Sequence, residues 1–328
     1  MDGAQTSKEP ALRTEHPGPG WLPARVVSRP DGLVIEWAKF GRRRLTEPFF
    51  EASLAGAVGH RFSELAGSAT RLADLPAMTL PRHLTPSGLI FHMSRCGSTL
   101  VSQMLAASAA NIVVSEAPPI DAVVRLDAPA AERAALLQAM AAALGQVRRD
   151  GETGYVIKLD SWHTRFLPLF RSAFPSTPWV FVYRDPAEVM ISHVRRAGMQ
   201  MIPTLVAPEV FGLEPTGQTW GEDYYARVLA AICEGALEGH AGGGGLLVNY
   251  DELPDAVSSR ILPHFGLAAR PEDLEAMVGV SAYDAKSPGQ RFAPDAEAKR
   301  QAMTPTTLAP VQHHCADVYR RLEAERAR

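Results

Sequence analysis

From residue 89 to residue 249 the chain repeats one pattern: a short apolar run rich in Val, Ile, Leu and aromatic residues, a turn, and a segment with helical spacing. Runs that are apolar from end to end suit strands covered on both faces, and parallel neighbours need a long crossover between them. The pattern therefore predicts βαβ units built around a parallel sheet. Strands are expected at residues 89–93, 112–115, 155–159, 179–183 and 246–249. Between the second and third lies an Ala-rich helix, with Asp127 and Pro129 near its start and Leu136, Leu137, Met140 and Leu144 on one face.

Ahead of this repeat the pattern is different. Residues 25–40 place Pro30-Asp31-Gly32 between two β-rich runs, which predicts a hairpin, and a helix is expected over 47–58. A Pro-rich stretch near 77–86 then predicts the end of a small N-terminal attachment. The expected organisation is a loose polar tail over 1–20, the attachment over 21–86 and an α/β domain over 87–328 that closes with a helix at 307–325. The four glycines 242–245 read as slack before a strand, because no helix start follows them.

Composition excludes several partners. With 21% charged residues, a net charge of −3 and no long block of like charges, no nucleic-acid partner is expected. No run approaches the ~18 apolar residues of a membrane span, and the N-terminus lacks the apolar core of a signal peptide. Cys96, Cys233 and Cys315 are few and widely spaced, which suits reduced thiols and a cytoplasmic location. Lys occurs only at positions 8, 39, 158, 286 and 299, so the abundance of Arg reads as codon usage and is not by itself a sign of anion binding.

The first chemical signal is LIFHMSRCGSTLVSQML, a strand that passes through a polar turn into a helix starting near Gly97 or Ser98. The free N–H groups and positive dipole end of such a helix face whatever sits in the turn. Gly97 allows close backbone approach, Ser98 and Thr99 offer hydroxyls, and Arg95 adds a permanent cation. An ordinary capped helix after a strand would look similar. The Lys that a Walker A loop carries just before its Ser/Thr is missing here, which disfavours ATP chemistry.

The second signal is WVFVYRDPAEVMISHVRR, in which Arg184 ends a strand, Asp185 and Pro186 open a helix, and Ser192 follows Arg184 by eight residues. Asp185 is expected to cap that helix. Together these segments resemble the PAPS-dependent sulfotransferase family. Ser94, Arg95, Cys96, Gly97, Ser98 and Thr99 look like that family's 5′-phosphosulfate loop, and Arg184 with Ser192 looks like its 3′-phosphate pair. Tyr250, Asp251 and Leu253 match a Tyr-acid-acid-Leu segment that reads as a fold marker, with Asn249 where Arg is common. The match covers roughly residues 88 to 266. Many members place Lys at the position of Arg95, and a guanidinium stabilises charge without donating a proton.

The resemblance implies a P-loop-like three-layer α/β domain, 3′-phosphoadenosine 5′-phosphosulfate (PAPS) as co-substrate, no metal, and an acceptor the sequence leaves open. A nucleotide kinase and an inactive nucleotide-binding protein of the same fold are the competing readings. Sulfuryl transfer requires a base for the acceptor and cations for the departing phosphate. Glu116, after the strand at 112–115, looks like the base of branches acting on protein tyrosine or carbohydrate. Asp160 competes, standing two residues after Lys158 where small-molecule branches carry Lys-x-His, and His163 is a third choice. Glu116 could instead cap the Ala-Pro-Pro turn. Lys158, costly to bury in a β run without an anion, is expected to face the sulfate. Arg291 in the SPGQRF loop is a candidate nucleotide contact. Cys96 reads as a small lining residue, and the adjacent His313, His314 and Cys315 are poorly spaced for a metal.

Overall fold

A computed structural model of the chain describes residues 11–59, 68–214, 221–291, 293 and 296–328. The expected parallel sheet is present. Strands β5 (Gly88–His92), β6 (Asn111–Ser115), β7 (Gly154–Lys158), β8 (Trp179–Tyr183) and β9 (Gly245–Asn249) form a five-stranded, all-parallel sheet in the order β6-β7-β5-β8-β9. Every residue of β5 to β8 is buried, the consequence of helices covering both faces. The helix Ala130–Leu144 buries Leu136, Leu137, Met140 and Leu144, as its spacing predicts.

Chain order locates the site. The connection leaving β5 leads toward β6 and the one leaving β8 leads toward β9, so the chain parts in opposite directions above the central strands. In open α/β sheets such a switch point leaves a crevice at the carboxyl ends of the strands.

The N-terminal hairpin is longer than residues 25–40: β2 (Trp21–Arg29) pairs with β3 (Gly32–Lys39) around Pro30-Asp31. The helix expected at 47–58 begins later, at Phe50. Two further strands complete a four-stranded sheet in the order β1-β4-β3-β2: β1 (Leu12–Arg13) and β4 (Ser68–Arg71). Within the loose tail expected over 1–20, Leu12 and Arg13 instead form the short strand β1, held by pairing with β4 more than fifty residues on. Long-range pairing of this kind leaves no local signature. The small sheet shares one hydrophobic core with the large one, through residues such as Leu22, Trp37 and Leu75. Arg44 Nη2 also donates to the carbonyl of Ser108 at 2.7 Å, and Arg148 Nη1 to that of Arg43 at 2.6 Å.

Toward the C-terminus, β10 (Tyr283–Asp284) and β11 (Ser287–Arg291) form a hairpin. The chain then closes with the helix Pro305–Arg326, which buries Val311, Cys315, Val318 and Leu322. No helix among the described residues is long and apolar enough to cross a membrane.

Candidate active site

A cleft of about 640 Å³ opens at the carboxyl end of the large sheet, within the range of small-molecule sites. Ser94 to Thr99, Glu116, Asp160, Arg184 and Ser192, scattered over a hundred residues of sequence, all line it.

Part of the cleft lining is the turn between β5 and the helix Ser98–Ala107. Ser94, Arg95 and Gly97 have positive φ values of 78°, 52° and 88°. Such a run turns backbone N–H groups inward to form a concavity for anions, and at non-glycine residues it carries a conformational cost. Two contacts hold the turn. The Ser94 N–H donates to His92 Nδ1 at 3.0 Å, and Arg95 Nη2 donates to the Arg196 carbonyl at 3.0 Å. Gly97 is required for space as well as for φ, since a Cβ there would meet Leu253 Cδ1 at 2.7 Å and Tyr250 Cδ2 at 2.9 Å. The Tyr-acid-acid-Leu segment thus packs directly beneath the loop. Cys96 is fully buried with its thiol on the Val182 carbonyl, and burial pushes its pKa up to about 11, so it is no nucleophile.

Glu116 and Lys158 form the centre. Lys158 is fully buried and makes an ion pair with Glu116 Oε1, while His92 Nε2 lies 3.4 Å from the same oxygen. Lys158 does not line the cleft. The expectation that it faces the sulfate is corrected here: the anionic partner that a buried ammonium requires is Glu116. His92 is held as the Nε2–H tautomer, because Nδ1 accepts from Ser94 while Nε2 reaches the Leu159 carbonyl at 2.9 Å. Burial lowers its pKa, keeping it neutral. For Glu116, burial alone would raise the pKa, but the charge of Lys158 and the N–H of His92 together hold it well below the usual carboxylate range. Glu116 itself has a φ of 51°, a left-handed conformation that a side chain rarely takes, and its N–H donates to the Lys158 carbonyl at 2.8 Å.

Asp160, at the end of β7, has a contrasting environment. Burial, reinforced by the charges of Glu116 and Asp121 and opposed by that of His163, raises its pKa to about 7. His163 is fully buried and bonds Asp121 at 2.9 Å, which gives it a place in the fold under the cleft. Asp121, Asp160 and His163 bring one potential ligand atom each within 4.8 Å of one another, but no ion is needed to explain the arrangement, since Trp162 Nε1 and His163 both already bond Asp121 Oδ1.

Arg184 lines the same cleft, pairs with Glu188 and lies with its guanidinium carbon 3.9 Å from the centre of the Tyr250 ring, the ring that also packs beneath Gly97. Ser192 stands on the next turn and donates to the Glu188 carbonyl at 3.0 Å. The helix Pro186–Arg195 opens with Asp185 accepting from the Ala187 N–H at 2.8 Å, the expected cap.

Arg291 is exposed and is not itself among the lining residues, although Tyr283, with which the hairpin pairs it, does line the cleft. The hairpin tip carries Lys286 instead, and Lys286 does line the cleft. Burial, with the charges of Arg95 and Lys158, lowers its pKa to about 8. The side chain keeps solvent access through the cleft mouth even though protein crowds its ammonium. Phe49, Gln200 and Lys299 are further lining residues that local pattern did not single out. Phe49 comes from the N-terminal attachment, its ring 5.3 Å from Lys158 Nζ and 6.0 Å from Lys286 Nζ. Gln200 is 3% exposed, and its Nε2 has no hydrogen-bond partner among the described residues. The scarcity of Lys, read above as codon usage, was the signal available: of five in the chain, Lys158, Lys286 and Lys299 meet at or beneath this cleft.

No family model matches the chain, and no curated protein does. Among solved structures it is similar to the sulfotransferase domain from the curacin biosynthetic pathway, at 16% identity and a TM-score of 0.47 over 73% of this chain and 99% of that one. It is also similar to sulfotransferase STF9 from Mycobacterium avium, at 14% identity and a TM-score of 0.45 over 74% and 78% of the two chains. A sulfotransferase from Alicyclobacillus acidocaldarius shares 16% identity and a TM-score of 0.43 over 75% and 97%. All three neighbours are sulfotransferases, and with TM-scores of 0.43 to 0.47 the likeness transfers no residue role to this chain.

Proposed function

We propose that this chain transfers a sulfuryl group from PAPS to a hydroxyl or amine of an acceptor. The observation that carries the reading is one cleft lined by two groups of anion-binding residue types, the N–H-rich turn with Arg95 and the pair Arg184 and Ser192, together with the carboxylate of Glu116. That donor set fits a nucleotide with phosphate at both ends. The residue before Ser98 is Gly97 where a nucleotide kinase would carry Lys, which argues against ATP.

The donor supplies a sulfuryl group already joined to a phosphate leaving group. The inward N–H groups of residues 94–99 and the Arg95 guanidinium bind its 5′ end and stabilise charge there as the bond breaks. Arg184 offers a charge-assisted contact to the 3′-phosphate, with Tyr250 fixing the plane of the guanidinium and Ser192 adding a hydroxyl. Glu116 takes the acceptor proton. A bond forms from the acceptor oxygen or nitrogen to sulfur, the bond from sulfur to the phosphate oxygen breaks, and its electron pair leaves with the phosphate. Lys158 and His92 orient the carboxylate and keep it ionised at neutral pH. Asp160 is the second reading for the base, favoured by a pKa near 7 that is better matched to proton transfer.

The test is thermal unfolding followed by turnover. Added 3′-phosphoadenosine 5′-phosphate should raise Tm while ATP with magnesium should not, and labelled sulfate from PAPS should appear in a fractionated extract. Stabilisation by ATP-magnesium alone would point to kinase chemistry. Stabilisation by the desulfated nucleotide with no transfer across a broad acceptor panel would leave a binding protein.

A further inference from the structure

We infer that Lys286, at the tip of the β10–β11 hairpin, is a donor-binding residue that places its ammonium on the 5′-phosphate side of the nucleotide. The inference rests on the function proposed above and adds a contact from outside the recognised motifs.

Position is the first ground. Lys286 lines the same cleft as the turn 94–99, and the groups whose charges act on its ammonium are Arg95 in that turn, Lys158 in β7 and Glu116 after β6. Arg95 lies in the turn 94–99 and Glu116 lines the cleft with it, while the charges of Arg95 and Lys286 also reach His193 in the helix Pro186–Arg195. The hairpin is built to present this residue. Asp284 Oδ1 accepts from the backbone N–H groups of both Lys286 and Ser287, at 2.9 and 2.8 Å, which fixes the tip and leaves the Lys286 side chain to project from it. The Phe49 ring lies 6.0 Å from Lys286 Nζ and 5.3 Å from Lys158 Nζ, so the ammonium has an aromatic face for a neighbour, with no ion pair to a carboxylate among the described residues.

Chemistry is the second ground. Cations set close together repel one another, and the lowered pKa of Lys286 expresses that repulsion together with burial. An anion placed in the cleft beside Arg95 and Lys286 relieves it. The turn itself carries Arg95, which cannot release a proton, whereas an ammonium both neutralises a phosphate and can give up a proton to it. In a chain where only five of 33 basic residues are Lys, an ammonium at this tip supplies what the turn lacks.

The experiment measures binding of two nucleotides, 3′-phosphoadenosine 5′-phosphate and adenosine 3′-monophosphate, to the full chain and to its Lys286→Ala and Lys286→Arg variants by calorimetry. Lys286→Ala should weaken the first about tenfold, the usual worth of a charge-assisted contact, and the second less than about twofold. Lys286→Arg should bind the first within about threefold of the unaltered chain while transferring sulfate more slowly. Equal losses for both nucleotides, or no loss for either, would overturn the assignment while leaving the sulfotransferase reading in place. Failure of the unaltered chain to bind either nucleotide would overturn both.

Discussion

Glu116 and Asp160 end neighbouring strands of one sheet and face one cleft, yet their surroundings drive them in opposite directions. Glu116 sits on the ammonium of Lys158 and beside the N–H of His92, and these overcome burial to hold its carboxyl low. Asp160 has no ammonium paired with it, the His163 ring standing 3.9 Å away, and burial carries it up to about 7. The lesson is that a carboxylate's chemical role follows from its neighbours and not from its residue type. One of the pair is ionised and oriented but weakly basic. The other is more basic and divided between two protonation states near neutrality.

The largest effect should come from removing the base. Glu116→Gln should lower turnover ~10²-fold or more with nucleotide affinity nearly unchanged, and Asp160→Asn should lower it less than about tenfold. Single-turnover transfer from labelled PAPS, with nucleotide binding measured alongside, separates the two. A base acts only when ionised, so the rate falls as pH drops through its pKa. With Glu116 as base that acidic limb lies below the ordinary carboxylate range, and with Asp160 it lies near pH 7. A limb near 7 that disappears in Asp160→Asn would reverse the assignment.

A smaller effect should appear in stability, where the two carboxylates again differ in sign. Glu116→Gln strands the buried Lys158 ammonium, and urea unfolding at pH 7 should show a loss of about 2 kcal/mol. That is below the cost for a fully buried pair, because the Glu116 side chain is 23% exposed. The double variant Glu116→Gln with Lys158→Met should recover much of it. Because the folded pKa of Glu116 is depressed, its contribution is present above the unfolded carboxyl pKa and is lost as pH falls through the folded value. Asp160 runs the other way. Its folded pKa is raised from 3.8 to about 7, so the native state binds the extra proton, and its contribution is full below about pH 4 and is lost as pH rises through 7. Asp160→Asn should therefore flatten the decline in stability between pH 4 and 8. A variant that declines as steeply as the unaltered chain would mean that Asp160 is not protonated in the fold.

The smallest effects distinguish the two groups of anion-binding residues that line the cleft. Arg184→Ala should weaken binding of the 3′-phosphorylated nucleotide about tenfold, and Ser192→Ala by only a few fold, with the form lacking that phosphate hardly affected by either. Equal losses for both nucleotides would remove the 3′ assignment.

The large sheet was legible because each of its strands is a local run of buried apolar residues, recognisable without knowing its partners. The turn before Ser98 and the Arg184–Ser192 spacing were legible for a related reason: each lies within one strand-turn-helix unit, so its geometry is encoded by near neighbours. The β1–β4 pairing was not, since it depends on contacts between segments more than fifty residues apart.

What the sequence by itself determined, then, is the βαβ architecture and the residue types of the turn 94–99 and of the Arg184–Ser192 pair that line the cleft. The tertiary structure alone decided that Lys158 turns to Glu116, 42 residues away, instead of to the cleft. It also decided that Phe49 from the N-terminal attachment and Lys286 from the C-terminal hairpin reach the same cleft. The physical reason is that backbone periodicity is set by interactions a few residues long. The charge state and the aim of a buried side chain are set instead by whichever groups the closed fold brings beside it.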